Sequence, residues 1–129
     1  MSTVYLAVQK SVNRYVALKV MASDLVSDET YTKRFLREAR IAARFRHPNI
    51  IAILDIQSSD GVPYIAMEYV PGGELDSERI NSMTLRQKLS TIVQIADALS
   101  FLHKQGFVHR DLKPGNILFR EDETAVLTD

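Results

Sequence analysis

The stretch His109-Arg110-Asp111-Leu112-Lys113-Pro114-Gly115-Asn116 decides how the rest of the chain is read. It places a carboxylate, Asp111, and a carboxamide, Asn116, five residues apart, with a second carboxylate, Asp129, thirteen positions further on. Oxygen donors of this kind suit a hard divalent cation, and an acid beside them can orient or deprotonate a hydroxyl. A solvated polar turn between two strands would have the same composition. His109 reads as a structural residue, packed against apolar groups and bonded to backbone. His47 and His103 show no partner pattern, so metal ligation by the three histidines is not expected.

Around this stretch the chain has two halves of different periodicity. Thr3 to Val8 and Tyr15 to Met21 are rich in Val, Tyr, Leu and Ala, and the polar residues between them make a hairpin. From Ser27 to Phe45 the apolar positions recur at helical spacing, and His47-Pro48-Asn49 stops that helix. Ile50 to Ile56 and Val62 to Val70 are expected to form a second hairpin about Ser58-Ser59-Asp60-Gly61. Pro71-Gly72-Gly73 then breaks the chain. After a polar stretch comes the longest helix, Thr84 to Gln105. Thr84 and Gln87 form its capping box and Gly106 its end. Apolar residues spread around much of its circumference, so burial on several sides is expected. Ile117 to Phe119 and Ala125 to Leu127 are short apolar pieces between charged loops, as is Phe107-Val108.

Composition excludes several classes. With 129 residues, 16 Lys+Arg against 16 Asp+Glu and no Cys, the chain has no basic excess for nucleic-acid phosphates. Nor has it thiols for a disulfide framework or a thiolate metal site. No apolar run approaches a membrane span and the N-terminus does not resemble a signal peptide, which leads to a cytoplasmic expectation.

The segment at 109–116 matches H-R-D-L-K-P-x-N, seven specified positions that seldom coincide by chance. Through it the chain resembles the eukaryotic-type serine/threonine protein kinases, especially their bacterial branch. The resemblance implies an α+β, two-lobe fold. The small lobe, residues 1–70, would be a four-stranded antiparallel sheet with one helix; residues 71–129 would be the hinge and the first part of a helical large lobe. It also implies transfer of the γ-phosphoryl of Mg·ATP to a Ser or Thr hydroxyl of a protein. Asp111 would then be base or positioner, Lys113 the phosphate clamp favouring Ser or Thr acceptors, and Asn116 and Asp129 the Mg²⁺ ligands. Val16-Ala17-Leu18-Lys19 resembles V-A-I-K, so Lys19 would meet the α- and β-phosphates and Glu38 on the next helix would orient it. Ala66 to Leu75 resembles the hinge. Met67 would be the gatekeeper, backbone groups of Glu68 and Val70 would receive the adenine edge, and Glu74 would approach the ribose or a basic substrate. Val4, Ala17 and Leu118 would sandwich the adenine ring, though plain core packing accounts for those three equally well.

The likeness covers the chain but only about the first half of the family's domain. Met1-Ser2-Thr3-Val4-Tyr5 matches the tail of the Gly-rich loop, with Ser2 in the third glycine's place, and Asp129 matches the first residue of D-F-G. Three readings are therefore carried forward: the partial catalytic domain itself, a non-catalytic kinase-like interaction module, and a truncated product of an active parent that could be membrane-anchored. The exposed face of the long helix invites self-association. Two missing loop amides, each contributing on the order of 1.5–3 kcal/mol to a charged ligand, would weaken ATP binding by roughly two orders of magnitude. Thermal unfolding with and without Mg·ATP should accordingly differ little. A shift of many degrees that vanishes in Lys19→Ala would contradict this.

Overall fold

The computed structural model describes residues 2–129, and the chain divides into two compact units. The strand unit holds the residues up to Arg46 together with Ala52–Tyr69; the helical unit holds His47–Ile51 and Val70–Asp129. The expected division at residues 70 and 71 is contiguous, whereas the compact units exchange the short His47–Ile51 segment.

In the strand unit, β1 (Ser2–Gln9) and β2 (Arg14–Met21) form the first hairpin, and β3 (Ile53–Ser59) and β4 (Val62–Glu68) the second. The sheet order is β1-β2-β4-β3, antiparallel throughout. The second hairpin turns on Asp60 and Gly61, both at positive φ (50° and 77°). That pair of dihedrals belongs to a two-residue turn whose twist matches the strands. Helix α1 (Glu29–Ala42) starts where the Asp28 carboxylate accepts the N–H groups of Thr30 and Tyr31 at 3.0 and 3.1 Å. Its buried Ala39 lets the helix approach β3 and β4, and Val16, Met21, Ile65 and Met67 complete this core.

The expected strand from Ile50 begins three residues late, for a reason that lies in the other unit. Ile51 N–H donates to Leu127 O at 2.9 Å and Leu127 N–H donates to Asn49 O at 2.8 Å. The Asn49–Ile51 backbone is thereby paired with β6 (Ala125–Leu127). A register shift between Ile53 and Asp55 marks the start of β3 proper.

The helical unit is built on α3 (Leu85–Lys104), with the shorter α2 (Ser77–Ser82) before it and a hairpin of β5 (Ile117–Phe119) and β6 after it. Both ends of α3 are capped as the sequence indicates. Gln87 N–H donates to Thr84 Oγ1 at 3.2 Å, while Thr84 N–H donates to Gln87 Oε1 at 2.8 Å. At the other end Gly106 has φ 76°, its N–H reaches His103 O, and Phe107 N–H reaches Leu102 O. These two bonds are the Schellman pattern, which needs a left-handed residue. Only one face of α3 is buried, through Thr91, Ile95, Ala98 and Leu102. Leu85, Leu89, Ile92 and Val93 are exposed, so the burial on several sides that the apolar spread suggests is not met, while the exposed helix face also expected is present.

The Gly72–Leu75 segment runs beside β5. Gly72 N–H donates to Phe119 O, Phe119 N–H to Gly73 O, and Leu75 N–H to Ile117 O, all within 3.0 Å. A Cβ at Gly72 would lie 2.2 Å from Phe119 O, a backbone atom that cannot swing away. Gly72→Ala should therefore cost about 2–3 kcal/mol through forced separation of the two segments. Gly106→Ala, which meets nothing within 4 Å, should cost about 1–2 kcal/mol for its left-handed backbone alone. Urea midpoints should fall in that order, and the reverse order would contradict the close approach at Gly72.

Candidate active site

The loop at 109–116 closes on a single carboxylate. Lys113 Nζ lies 2.9 Å from Asp111 Oδ2, and Asn116 Nδ2 donates to the same oxygen at 3.0 Å and to Asp111 O at 2.8 Å. The backbone permits this because Pro114–Asn116 forms a 3-10 turn, with Asn116 N–H on Lys113 O, that folds the amide back toward Asp111. Asn116 is buried, whereas Asp111 and Lys113 are more than half exposed. The Lys113 hydrogen bond, followed by that from Asn116, holds the Asp111 carboxyl below its ordinary value of 3.8 despite some desolvation.

His109 fixes the other side of the loop. Asp111 N–H can only donate, so His109 Nδ1 must accept it (3.3 Å), and the proton sits on Nε2, which donates to Thr128 O at 3.0 Å. The ring is thus bonded to backbone at both nitrogens, as its sequence context indicates. Arg110 between them has φ 68°, a left-handed conformation costing about 1–2 kcal/mol, which brings the Asp111 amide onto the ring. Thr128 N–H in turn donates to Asn116 O at 2.9 Å. Asp129 therefore directly follows the residue bonded to Asn116. Glu74 is brought to the same loop: a Cβ on Gly115 would stand 3.8 Å from Glu74 Oε2, and Glu74 bridges Leu118 across the β5 edge. Val70 is buried in this unit.

The other expected residues lie in the strand unit. Val4 stands opposite Lys19, Ala17 opposite Met67, and Lys19 opposite Ile65. Directly opposed residues share a sheet face, as do residues two apart on one strand, so Val4, Ala17, Lys19 and Met67 all fall on one face. Val4 is 55% exposed there, and Met67 is buried. Glu68 N–H donates to Ala52 O at 2.9 Å and its carboxylate accepts Ala52 N–H at 3.0 Å, so that amide is not a donor for a purine. Glu38 lies on α1, where its carboxylate accepts from Arg34 Nε at 3.2 Å.

Two features were not foreseen from the sequence. His47 has partners after all: Nδ1 accepts Asn49 N–H at 3.0 Å and Nε2 faces Asp97 Oδ2 at 3.2 Å. Asn49 Nδ2 donates to Gln94 Oε1 and Ala125 O, which ties the segment before β3 to α3 and β6. Arg79 on the short α2 donates to Gly72 O at 2.6 Å and to Glu123 Oε2 at 2.9 Å, with its guanidinium 3.8 Å above the Phe119 ring. Asp76 caps α2 three residues before Arg79, a signal in the sequence too short to stand out in a polar stretch. A cavity of about 450 Å³ opens beside Arg79 and Phe119, and none of the expected site residues lines it.

The protein kinase domain family matches the chain over residues 1–129. The chain is 41% identical over 134 residues to the serine/threonine-protein kinase PknJ of Mycobacterium tuberculosis, covering 100% of this chain and 23% of PknJ. It is 38% identical over 131 residues to the serine/threonine-protein kinase PrkC of Bacillus subtilis, covering 100% of this chain and 20% of PrkC. Identity to the serine/threonine-protein kinase pkn3 of Myxococcus xanthus is 43% over 121 residues, covering 92% of this chain and 22% of pkn3. The chain thus spans about a fifth of the length of the curated relatives it matches.

Because the folded Asp111 pKa is depressed, the stabilisation it brings is present above the unfolded value near 3.8 and is lost as pH falls through the lower folded value. Carboxyl carbon NMR should find Asp111 titrating below 3.8, and Lys113→Ala should move it upward. A midpoint unchanged by that substitution would contradict the pairing.

Proposed function

The chain belongs to the protein kinase domain family, and from that premise we propose that it carries the nucleotide-facing strands and catalytic loop of an ATP-dependent serine/threonine protein kinase. The observation that supports this most directly is the convergence of Lys113 and Asn116 on Asp111 Oδ2. A carboxylate held below its ordinary range is a weak proton acceptor. Asp111 therefore acts first by accepting a hydrogen bond from the protein Ser or Thr hydroxyl and aiming its oxygen, which suits a loose phosphoryl-transfer transition state. Lys113, already beside Asp111, is placed to turn toward the transferred phosphoryl and draw charge from it.

The donor set of the loop fits Mg²⁺. The nitrogen of the Asn116 amide faces Asp111, so its oxygen is the atom that would meet a cation, and Asp129 adds a carboxylate. When bound, the ion would neutralise charge on the phosphates. Lys19 would receive the α- and β-phosphates, and Glu38 would exchange its exposed contact with Arg34 for Lys19. By the family resemblance Val4, Ala17 and Leu118 would supply apolar surface for the adenine, Met67 would be the gatekeeper, and backbone groups of Glu68 and Val70 would receive its edge. Glu74, beside Gly115, would meet the ribose or a basic residue of the substrate. A cytoplasmic location belongs to the same proposal, since the activity draws on ATP. Among the described residues no helix is long and apolar enough to cross a membrane.

An acyl-phosphate derivative of ATP, which acylates amines near its phosphates, should modify Lys19 and Lys113 ahead of Lys10, Lys33, Lys88 and Lys104. Millimolar Mg·ATP should suppress that labelling. Equal modification of all six lysines by mass spectrometry would overturn the assignment. Where phosphoryl transfer to a Ser/Thr protein is measured, Asp111→Asn should lower it roughly 10²–10⁴-fold, and an unchanged rate would contradict the role given to Asp111.

A further inference from the structure

We propose that Arg79 is a positioning residue that acts through the Gly72 carbonyl to hold Glu74 against the 109–116 loop. Gly72 and Gly73 follow one another, and Gly73 has φ 81°. The peptide between them has no Cβ on either side, so little steric resistance opposes its turning over. Backbone bonds grip the chain around it. Gly72 N–H donates to Phe119 O, Phe119 N–H to Gly73 O, and Leu75 N–H to Ile117 O. The oxygen of the Gly72–Gly73 peptide is held by a side chain instead, with Arg79 Nη1 donating to it at 2.6 Å. Turning that peptide changes ψ of Gly72 and φ of Gly73. Unless the two rotations cancel, everything after Gly73 is redirected, and Glu74 comes first. Its carboxylate is the group that stands 3.8 Å from where a Cβ on Gly115 would lie.

Arg79 is delivered to the carbonyl by its own helix. Asp76 Oδ1 accepts Arg79 N–H at 2.7 Å and so starts α2. Helical side chains lean toward the N-terminus, which carries this one back over the Gly72 segment. The guanidinium lies 3.8 Å above the Phe119 ring, and Nη2 donates to Glu123 Oε2 at 2.9 Å. The Glu123 side chain is 70% exposed, so the ion pair gains little in water and serves to aim the guanidinium. The Arg79 side chain is only 21% exposed, which shelters its bond to Gly72 O. A planar group with donors on two nitrogens reaches both acceptors while lying flat on a ring. The functional weight of Arg79 rests on Glu74 facing ribose or substrate, as proposed for the kinase reaction; the placement of Glu74 does not.

The placement is read by amide NMR of the 129-residue chain without nucleotide. Glu74→Gln should move the Gly115 resonance in the wild-type background, and that response should be lost beside Arg79→Met. Methionine keeps apolar bulk over Phe119 and has no donor, so a packing role alone would preserve the response. Arg79→Lys, which returns a donor for Gly72 O, should restore it. Exchange of the Gly72 and Leu75 amides should quicken about tenfold in Arg79→Met, while Ala98 in α3 stays unchanged. Where phosphoryl transfer is measured, Arg79→Met and Glu74→Gln should each raise KM about tenfold at constant kcat, with no further rise together. A Gly115 response absent from the wild type or surviving in Arg79→Met, an acceleration shared by Ala98, or a KM raised by Glu74→Gln alone would each overturn the proposal. A KM indifferent to Glu74→Gln would overturn the kinase role of Glu74, and the Gly115 resonance would still decide the placement.

Discussion

One carboxylate oxygen organises the helical unit's chemistry. Asp111 Oδ2 receives an ammonium and an amide at once, and each donor is itself held by the loop's own backbone. Take away the 3-10 turn at Pro114–Asn116 and the amide no longer folds back. Free the His109 ring and the Asp111 N–H loses its acceptor. A charge this exposed gains little from any single partner in water. Position is what the network provides, and position is what transfer between two bound groups requires.

That loop is held from behind by the β5–β6 hairpin, the Gly72–Leu75 segment and Arg79. Thr128 links the end of β6 to both His109 and Asn116, so the hairpin sets where Asp129 lies relative to the loop. The Gly72–Leu75 segment adds itself to β5 as a short extra strand, which only a residue without Cβ allows at Gly72. Arg79 then secures Gly72 and Glu123 together over Phe119, a ring only 1% exposed. The Glu74 carboxylate reaches Gly115 because this register fixes it there.

Each unit also leaves apolar surface uncovered. Helix α3 is stabilised at both termini by its own caps, and half its circumference suffices to anchor it through Ala98 and Leu102. Leu85, Leu89, Ile92 and Val93 contribute nothing to that anchoring and face solvent. In the strand unit the equivalent surface is on β1, where Val4, Tyr5, Leu6 and Val8 are exposed. Hydrophobic surface of this sort is normal in small amounts and becomes informative when it forms a row.

Much of this protein was readable along the chain, wherever the cause is local. The capping box at Thr84 and Gln87, the left-handed end at Gly106, the Asp60-Gly61 turn and the H-R-D-L-K-P-x-N loop all act within a few residues, and type and spacing alone determine them. The tertiary structure decided the rest. Which side of α3 is buried depends on where β6 arrives; Asn49–Ile51 joins β6 and not β3 through backbone bonds between Ile51 and Leu127 and between Leu127 and Asn49, segments far apart along the chain. Arg79 finds Glu123 for the same reason. Short-range periodicity records which residues prefer water, but a hydrogen bond between distant segments exists only once packing has brought its two ends within 3 Å or so.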